Sequence, residues 1–184
     1  MADFQRFLPT LLRFEGGYFN DITGPGIMYK GITLATFQHC AERLLGIEPT
    51  LHALLALTDE QAGTIYKALH WDVVGGDHMT FQPVANIVSD FHVSSGEAAT
   101  RLLQRVLNAL GSSLNVDGRV GPVTLAALHG ADQYAVYTRY KHARGEYYRE
   151  LVRSRPVLAR YLHGWLERVA AFPDFPAVER AREH

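Results

Sequence analysis

Phe4-Gln-Arg-Phe-Leu-Pro-Thr-Leu-Leu-Arg-Phe-Glu15-Gly-Gly-Tyr-Phe-Asn-Asp21 is the stretch from which the rest of the chain is read. Phe4, Phe7, Leu8, Leu11 and Leu12 recur at i, i+3, i+4, i+7 and i+8, the apolar face of a helix. Pro9 falls inside that pattern and predicts an irregular first turn. The stripe stops at Phe14, and Gly16-Gly17 supplies a backbone able to turn with positive φ. Glu15 is therefore the last side chain of an apolar helix, at the mouth of a glycine turn. A carboxylate there meets the negative end of the helix dipole, and Phe14, Tyr18 and Phe19 can shield it from water. Both effects favour the protonated acid. A carboxyl that keeps its proton near neutral pH can donate it to a leaving group. Taken alone, Glu-Gly-Gly is also what an ordinary surface turn looks like.

The whole chain sets bounds on that reading. Its 184 residues can bury a real core, in one domain or two small lobes. Apolar residues at 47% and charged residues at 20% describe an ordinary globular protein. A net charge of −1 exerts no overall pull on nucleic acid or anionic membrane, so neither is expected as a partner. Arg and Lys do crowd the segment from Arg139 to Arg168, as on a solvated helix face. A local basic face of that kind could also meet an acidic polymer such as the cell wall. Cys40 is the single cysteine, so no intrachain disulfide is expected, and its place in a helical pattern reads as core. The nine histidines are scattered, without His-Glu-x-x-His, so no metal is expected. No phosphate loop, dinucleotide fingerprint or Gly-x-Ser-x-Gly appears, and no cofactor is expected. The N-terminus lacks a basic region followed by an apolar run, and no window reaches the roughly 18 apolar residues of a membrane span. Synthesis in the cytoplasm without a signal peptide, and no membrane insertion, are the expectations.

Periodicity along the chain predicts a mainly α fold. Thr33 caps a helix through Leu45 that stops at Gly46. Thr58-Asp-Glu-Gln61 opens another that reaches Trp71-Asp72. Val73 to Phe81 reads as a loop. Pro83 starts a strongly apolar helix through Phe91, and Ser95-Gly-Glu97 starts a further one that closes at Gly111. Asp117-Gly118 predicts a tight turn, Gly121-Pro122 stops the chain, and Thr124 precedes an apolar helix. Tyr134 to Val152 is a long helix rich in tyrosine, whose spacing suits core packing better than a sugar platform. Pro156 starts the last helix. One short β-hairpin is expected around Tyr18 to Ile32.

Two blocks, residues 15–33 and 85–128, carry a resemblance. Glu15-Gly-Gly-Tyr-Phe-Asn-Asp21, a Gly/Pro loop and Gly31-Ile-Thr33 resemble the signature of the glycoside hydrolase family 108 lysozymes, N-acetylmuramidases of phage endolysins, prophages and some secreted effectors. Ala85 to Gly96 resembles the family's second block. Asn115-Val-Asp-Gly-Arg-Val-Gly-Pro-Val-Thr124 resembles the Asp-Gly-x-x-Gly-Pro-x-Thr motif of peptidoglycan-binding domains, preceded by a matching helix around Leu102 to Leu107. The resemblance implies a lysozyme-like helical fold, with a catalytic lobe over 1–88, a peptidoglycan-binding-like lobe over 89–176 packed on it as one compact unit, and a tail over 177–184. It departs from the family at the loop, which usually reads Asp-Pro-Gly-Gly-x-Thr. Here Thr23-Gly-Pro-Gly-Ile-Met28 is one residue shorter and lacks the Asp and the Thr.

The resemblance implies that Glu15 is the catalytic acid and that peptidoglycan glycan strands are the substrate. A second carboxylate would stabilise charge, activate water or attack. Asp21 is the choice, with Asp72 and Asp90 as alternates and Thr33 as a candidate water orienter. Tyr18, Asn20, Tyr29, Asp90 and Tyr137 are candidate glycan contacts. Hydrolysis of the β-1,4 bond between N-acetylmuramic acid and N-acetylglucosamine is the leading expectation. A lytic transglycosylase, using one Glu as acid and base, and a binding module without chemistry are the rivals. Holin release or a secretion machine would bring the protein to the periplasmic face of the wall, and a secreted effector would come with an immunity protein.

Overall fold

In a computed structural model the chain is described over residues 1–21 and 26–175. Thr23, Gly24 and Pro25 of the altered loop, and the expected tail over 177–184, lie outside the described residues. The chain divides into two compact units, Asp3–Val73 and a second formed by Met1–Ala2 with the chain from Val74 onward. This division falls ahead of the boundary expected at residue 88. The helix that follows Phe81 packs with the later helices of the second unit.

Helix α1 (Phe4–Glu15) opens the first unit. Asp3 caps it by accepting a hydrogen bond from the Gln5 amide at 2.8 Å. Phe4, Phe7, Leu8 and Leu11 are buried, as their spacing predicts. The helix runs through Pro9 without interruption, against the expectation of an irregular first turn. Pro9 is exposed, so the amide that it lacks leaves no carbonyl stranded in the core. Phe4 and Phe7 pack on the buried Trp71, with ring centroids at 5.5 and 6.1 Å.

Three strands follow: β1 (Tyr18–Asp21), β2 (Gly26–Tyr29) and β3 (Ile32–Thr33), antiparallel and in sequence order. The sheet thus has one strand more than the expected hairpin. Lys30 and Gly31 connect β2 to β3 with φ of 50° and 74°. Two successive positive φ values make the tight turn whose twist suits a two-residue hairpin. Lys30 accepts this backbone because its surroundings hold it, as described below. Helix α2 (Leu34–Leu45) starts on Thr33 as its N-cap and ends at Gly46 with φ 66°. A short α3 (Leu51–Leu55) leads to α4 (Asp59–Tyr66), which begins on a reciprocal Thr58–Gln61 capping box. A π-helical turn, Lys67–Trp71, continues α4 and delivers Trp71 to the core. A side chain at Gly63 would meet Leu8 Cδ2 at 2.7 Å, so glycine lets α4 approach α1 closely.

The second unit is helical: α5 (Gln82–Ser95), α6 (Glu97–Ala109), α7 (Pro122–Gly130), α8 (Gln133–Ser154) and α9 (Ala159–Ala170). Helix α5 packs on α6 and α8, and α8 packs on α9. The turn between α6 and α7 is held by Gln104. Its buried amide donates to Asp117 Oδ1 at 2.8 Å and to the Arg119 carbonyl at 3.0 Å, and accepts from the Gly118 amide at 2.9 Å. Bonding to Gln104 and to the Arg119 amide holds the Asp117 carboxyl below its usual range. The polar residues of the Asp-Gly motif therefore build the turn. Helix α7 already begins at Pro122, so Thr124 lies inside its first turn rather than ahead of it.

Candidate functional site

Glu15 is the last residue of α1. Gly16 leaves the helix with φ 71°, its amide bonded to the Leu12 carbonyl at 3.1 Å. The chain then enters β1, so the carboxyl stands half-buried where helix, glycine turn and sheet meet. What it stands against is the turn between β2 and β3. A Cβ built on Gly31 would lie 2.4 Å from Glu15 Oε2, 2.8 Å from Glu15 Cβ and 2.4 Å from the Tyr66 hydroxyl oxygen. The carboxyl and the phenol therefore flank one point, and only glycine leaves room for them.

Tyr66 also determines why Lys30 holds its left-handed backbone. Its hydroxyl donates to the Lys30 carbonyl at 2.8 Å. The Lys30 ammonium pairs with Asp59 at the start of α4 and lies 5.2 Å from the centre of the Tyr29 ring. Bonding to Asp59 raises the Lys30 pKa above its ordinary value. Helix α4 thus grips the turn at both ends of Lys30, and the turn in turn seats Glu15. Tyr66, Gly31 and Lys30 were not among the residues expected at the site. Tyr66 falls on the apolar stripe of α4 and reads as core, which its near-complete burial bears out. Its hydroxyl was the one available signal, because a buried phenol needs a partner. A hollow of about 430 Å³ adjoins the turn and is lined by Leu12, Arg13, Gly16, Lys30 and Asp59 among others.

The strand register sorts the other expected residues. Tyr18 pairs directly with Tyr29, and Asn20 lies two residues along β1. Opposed residues and i, i+2 neighbours share a face, so Tyr18, Asn20 and Tyr29 line one side of the sheet. Tyr18 and Asn20 are exposed and Tyr29 is half-buried. Thr33 pairs with Met28 and so belongs to the opposite face. Its hydroxyl caps α2, accepting from the Thr36 amide at 3.0 Å and donating to Thr36 Oγ1 at 2.9 Å. Asp21 ends β1 opposite Gly26, and its side chain lies outside the described residues. Asp72 is exposed and paired with Lys67 at 2.5 Å.

Asp90 and Tyr137 belong to the second unit, and their placement is a correction to the expected glycan contacts. Asp90 has no exposed surface. It pairs with Arg144, also fully buried, at 2.7 Å and with Arg168 at 2.7 Å. The Arg144 guanidinium sits among the rings of Phe91, Tyr148 and Phe172 at 5.0 to 5.8 Å. A carboxylate on the apolar α5 is paired in the core with two arginines rather than offered to a ligand. Tyr137 is 1% exposed and donates to the Pro173 carbonyl at 2.7 Å, and burial pushes its phenol well up. Among the described residues no group of three His, Cys, Asp or Glu side chains could hold a metal, and no helix is long and apolar enough to cross a membrane. Cys40 is buried.

Residues 8–96 match the family described as glycosyl hydrolase 108, and residues 98–170 match one described as a predicted peptidoglycan domain. Among solved structures the chain is similar to SagA of Brucella abortus, at 26% identity and a TM-score of 0.74, over 97% of this chain and 92% of that one. No curated protein matches the chain.

Proposed function

We propose that this peptidoglycan hydrolase, with a glycosyl hydrolase 108 region ahead of a peptidoglycan domain, is an N-acetylmuramidase whose acid is Glu15. It cleaves the β-1,4 bond between N-acetylmuramic acid and N-acetylglucosamine. The observation that carries the reading is the seat of Glu15. The half-buried carboxyl and the Tyr66 hydroxyl flank the same point at Gly31, in a turn that Tyr66 ties to α4. A group that protonates a leaving oxygen must be fixed in direction and still reachable by substrate.

In the proposed reaction the Glu15 proton passes to the glycosidic oxygen as the bond from the sugar carbon to that oxygen breaks. Positive charge develops at the carbon, and water adds there as a carboxylate takes its proton, to leave a reducing N-acetylmuramic acid end. Asp21 is the proposed second carboxylate. Tyr18, Asn20 and Tyr29 supply the sheet face along which the glycan lies, with aromatic surface for the apolar faces of the sugars.

The test is mass spectrometry of the soluble products from purified peptidoglycan, with the parent protein beside Glu15→Gln. Muropeptides ending in reducing N-acetylmuramic acid, absent with Glu15→Gln, are the expected result. Anhydro-sugar ends would replace hydrolysis by transglycosylation. Normal cleavage by Glu15→Gln would remove Glu15 from the mechanism.

A further inference from the structure

Among the described residues of the second unit, two grooves that run along α8 differ in charge. The groove between α8 and α9, of about 560 Å³, is edged by Lys141 and Arg149. Those cations are already neutralised, Lys141 by Asp174 at 2.7 Å and Arg149 by Glu146 at 2.7 Å. The groove between α6 and α8, of about 510 Å³, is different. Leu102, Val106 and Ala109 line it from one face of α6 at i, i+4 and i+7, which gives an apolar floor. Arg105 stands on one rim, and Arg139 and His142 stand on the other. All three rim residues are exposed. Among the described residues no carboxylate lines this groove and neither arginine has an acidic partner. Most other arginines of α6, α8 and α9 are paired: Arg101 with Glu97, Arg144 and Arg168 with Asp90, Arg153 with Glu150.

We propose that this groove binds the peptide stem of peptidoglycan through its free carboxylates, an inference that rests on peptidoglycan being the substrate. Peptidoglycan glycan is rich in hydroxyls and offers little to a cationic rim. Its stem peptide alternates small methyl-bearing alanyl residues with free carboxylates. An apolar slot between two planar guanidinium groups is complementary to that pattern. Methyl groups reach the floor, and each carboxylate meets an arginine able to bind it through two parallel hydrogen bonds. Uncompensated cations at a solvated rim attract such an anion, and salt weakens the attraction. The groove would thereby favour wall whose stems carry free carboxylates over wall whose stems are amidated.

The test uses the full chain carrying Glu15→Gln, so that binding is read without cleavage. Calorimetric titration with the free stem tetrapeptide is compared with the same peptide amidated on its carboxylates and with the peptide-free disaccharide. Binding of the free-acid peptide is expected to be at least tenfold tighter than that of the amidated one, and to weaken with salt. Joint Arg105→Glu and Arg139→Glu substitution removes that preference and leaves disaccharide binding unchanged. Ala109→Trp, which fills the slot without altering charge, weakens the peptide in the same way. Thermal melting of both variants identifies any that fails to fold. Peptide affinity unchanged in the folded variants, equal affinity for the free-acid and amidated peptides, or no peptide binding by the parent would each overturn the proposal. Product release from whole peptidoglycan by the chain with Glu15 intact is scored separately, so loss of this site and loss of the muramidase reading give different results.

Discussion

Glu15 and Asp90 are both carboxylates on apolar helices, and they have opposite fates. Glu15 closes α1 beside a glycine turn, half-buried, with its carboxyl and the Tyr66 hydroxyl both where a Gly31 side chain would stand. Asp90 stands deep within α5, wholly buried between Arg144 and Arg168. The difference lies in where the helix ends. A side chain on the last turn can leave the core with the chain, and a glycine after it lets other elements come close. A side chain in mid-helix on the apolar face goes where that face goes, and a charge carried there must bring its counter-ions. The first arrangement leaves a carboxyl half-exposed to solvent. The second spends it on holding α5, α8 and α9 together.

The sharpest separation of the two is therefore stability against activity. Removing Asp90 leaves the Arg144 guanidinium buried without its carboxylate, and losing one partner of a buried pair costs about 3–5 kcal/mol. Asp90→Ala is expected to lower the melting temperature of the protein by roughly 10 °C or more. Glu15→Gln is expected to abolish cleavage and to melt close to the parent. Thermal melting of both variants, beside turnover, checks the contrast. An Asp90→Ala protein that melts like the parent would show that the buried triad contributes nothing net.

A second, smaller effect probes how Glu15 is seated. Gly31 has φ 74°, and a Cβ there would collide with the Glu15 carboxyl and the Tyr66 hydroxyl. Gly17 shares the same motif, but a Cβ there would meet nothing within 4 Å and its φ is not in the positive region. Gly31→Ala is expected to lower kcat by about a hundredfold, the scale of displacing a reacting group by about an ångström. Gly17→Ala should stay within a few fold of the parent. Equal losses in the two would mean that the motif needs general turn flexibility and not this particular gap.

The fold was largely legible because its signals are local. Thr33 and Thr58 each cap a helix, Gly46 ends one, and the apolar spacing of α1, α5 and α6 marks their buried faces. Glu15 was legible for the same reason, since its place between a helix and two glycines is written in consecutive residues. The third strand was not. It depends on Lys30 taking a positive φ, which a lysine does only when Tyr66 and Asp59, far along the chain, hold it. Tyr66 was hidden by its apolar spacing, and only its hydroxyl sets it apart from a core residue. Asp90 and Tyr137 misled in the other direction, because a polar residue on an apolar helix looks the same in sequence whether it faces a ligand or a buried arginine.

The smallest effect tests whether burial governs the charge of His92, which follows Asp90 on α5. His92, two residues after Asp90 on α5, is 9% exposed, and burial pushes its pKa below the ordinary 6.5 while Glu97 pulls weakly the other way. The folded protein thus holds His92 neutral, and the unfolded chain takes up a proton near pH 6.5. The unfolded state then binds more protons, so stability is full above about pH 6.5 and falls as pH drops from there through the lowered folded-state value. His92→Gln removes the titration while keeping a polar group of similar size. Between pH 7.5 and 5.5, its melting temperature is expected to fall by a few degrees less than the parent's. The carboxylates common to both proteins contribute equally and cancel. An equal fall in the two would mean that His92 reaches water in the folded protein. The burial that distinguishes Asp90 from Glu15 would then stop short of the end of α5.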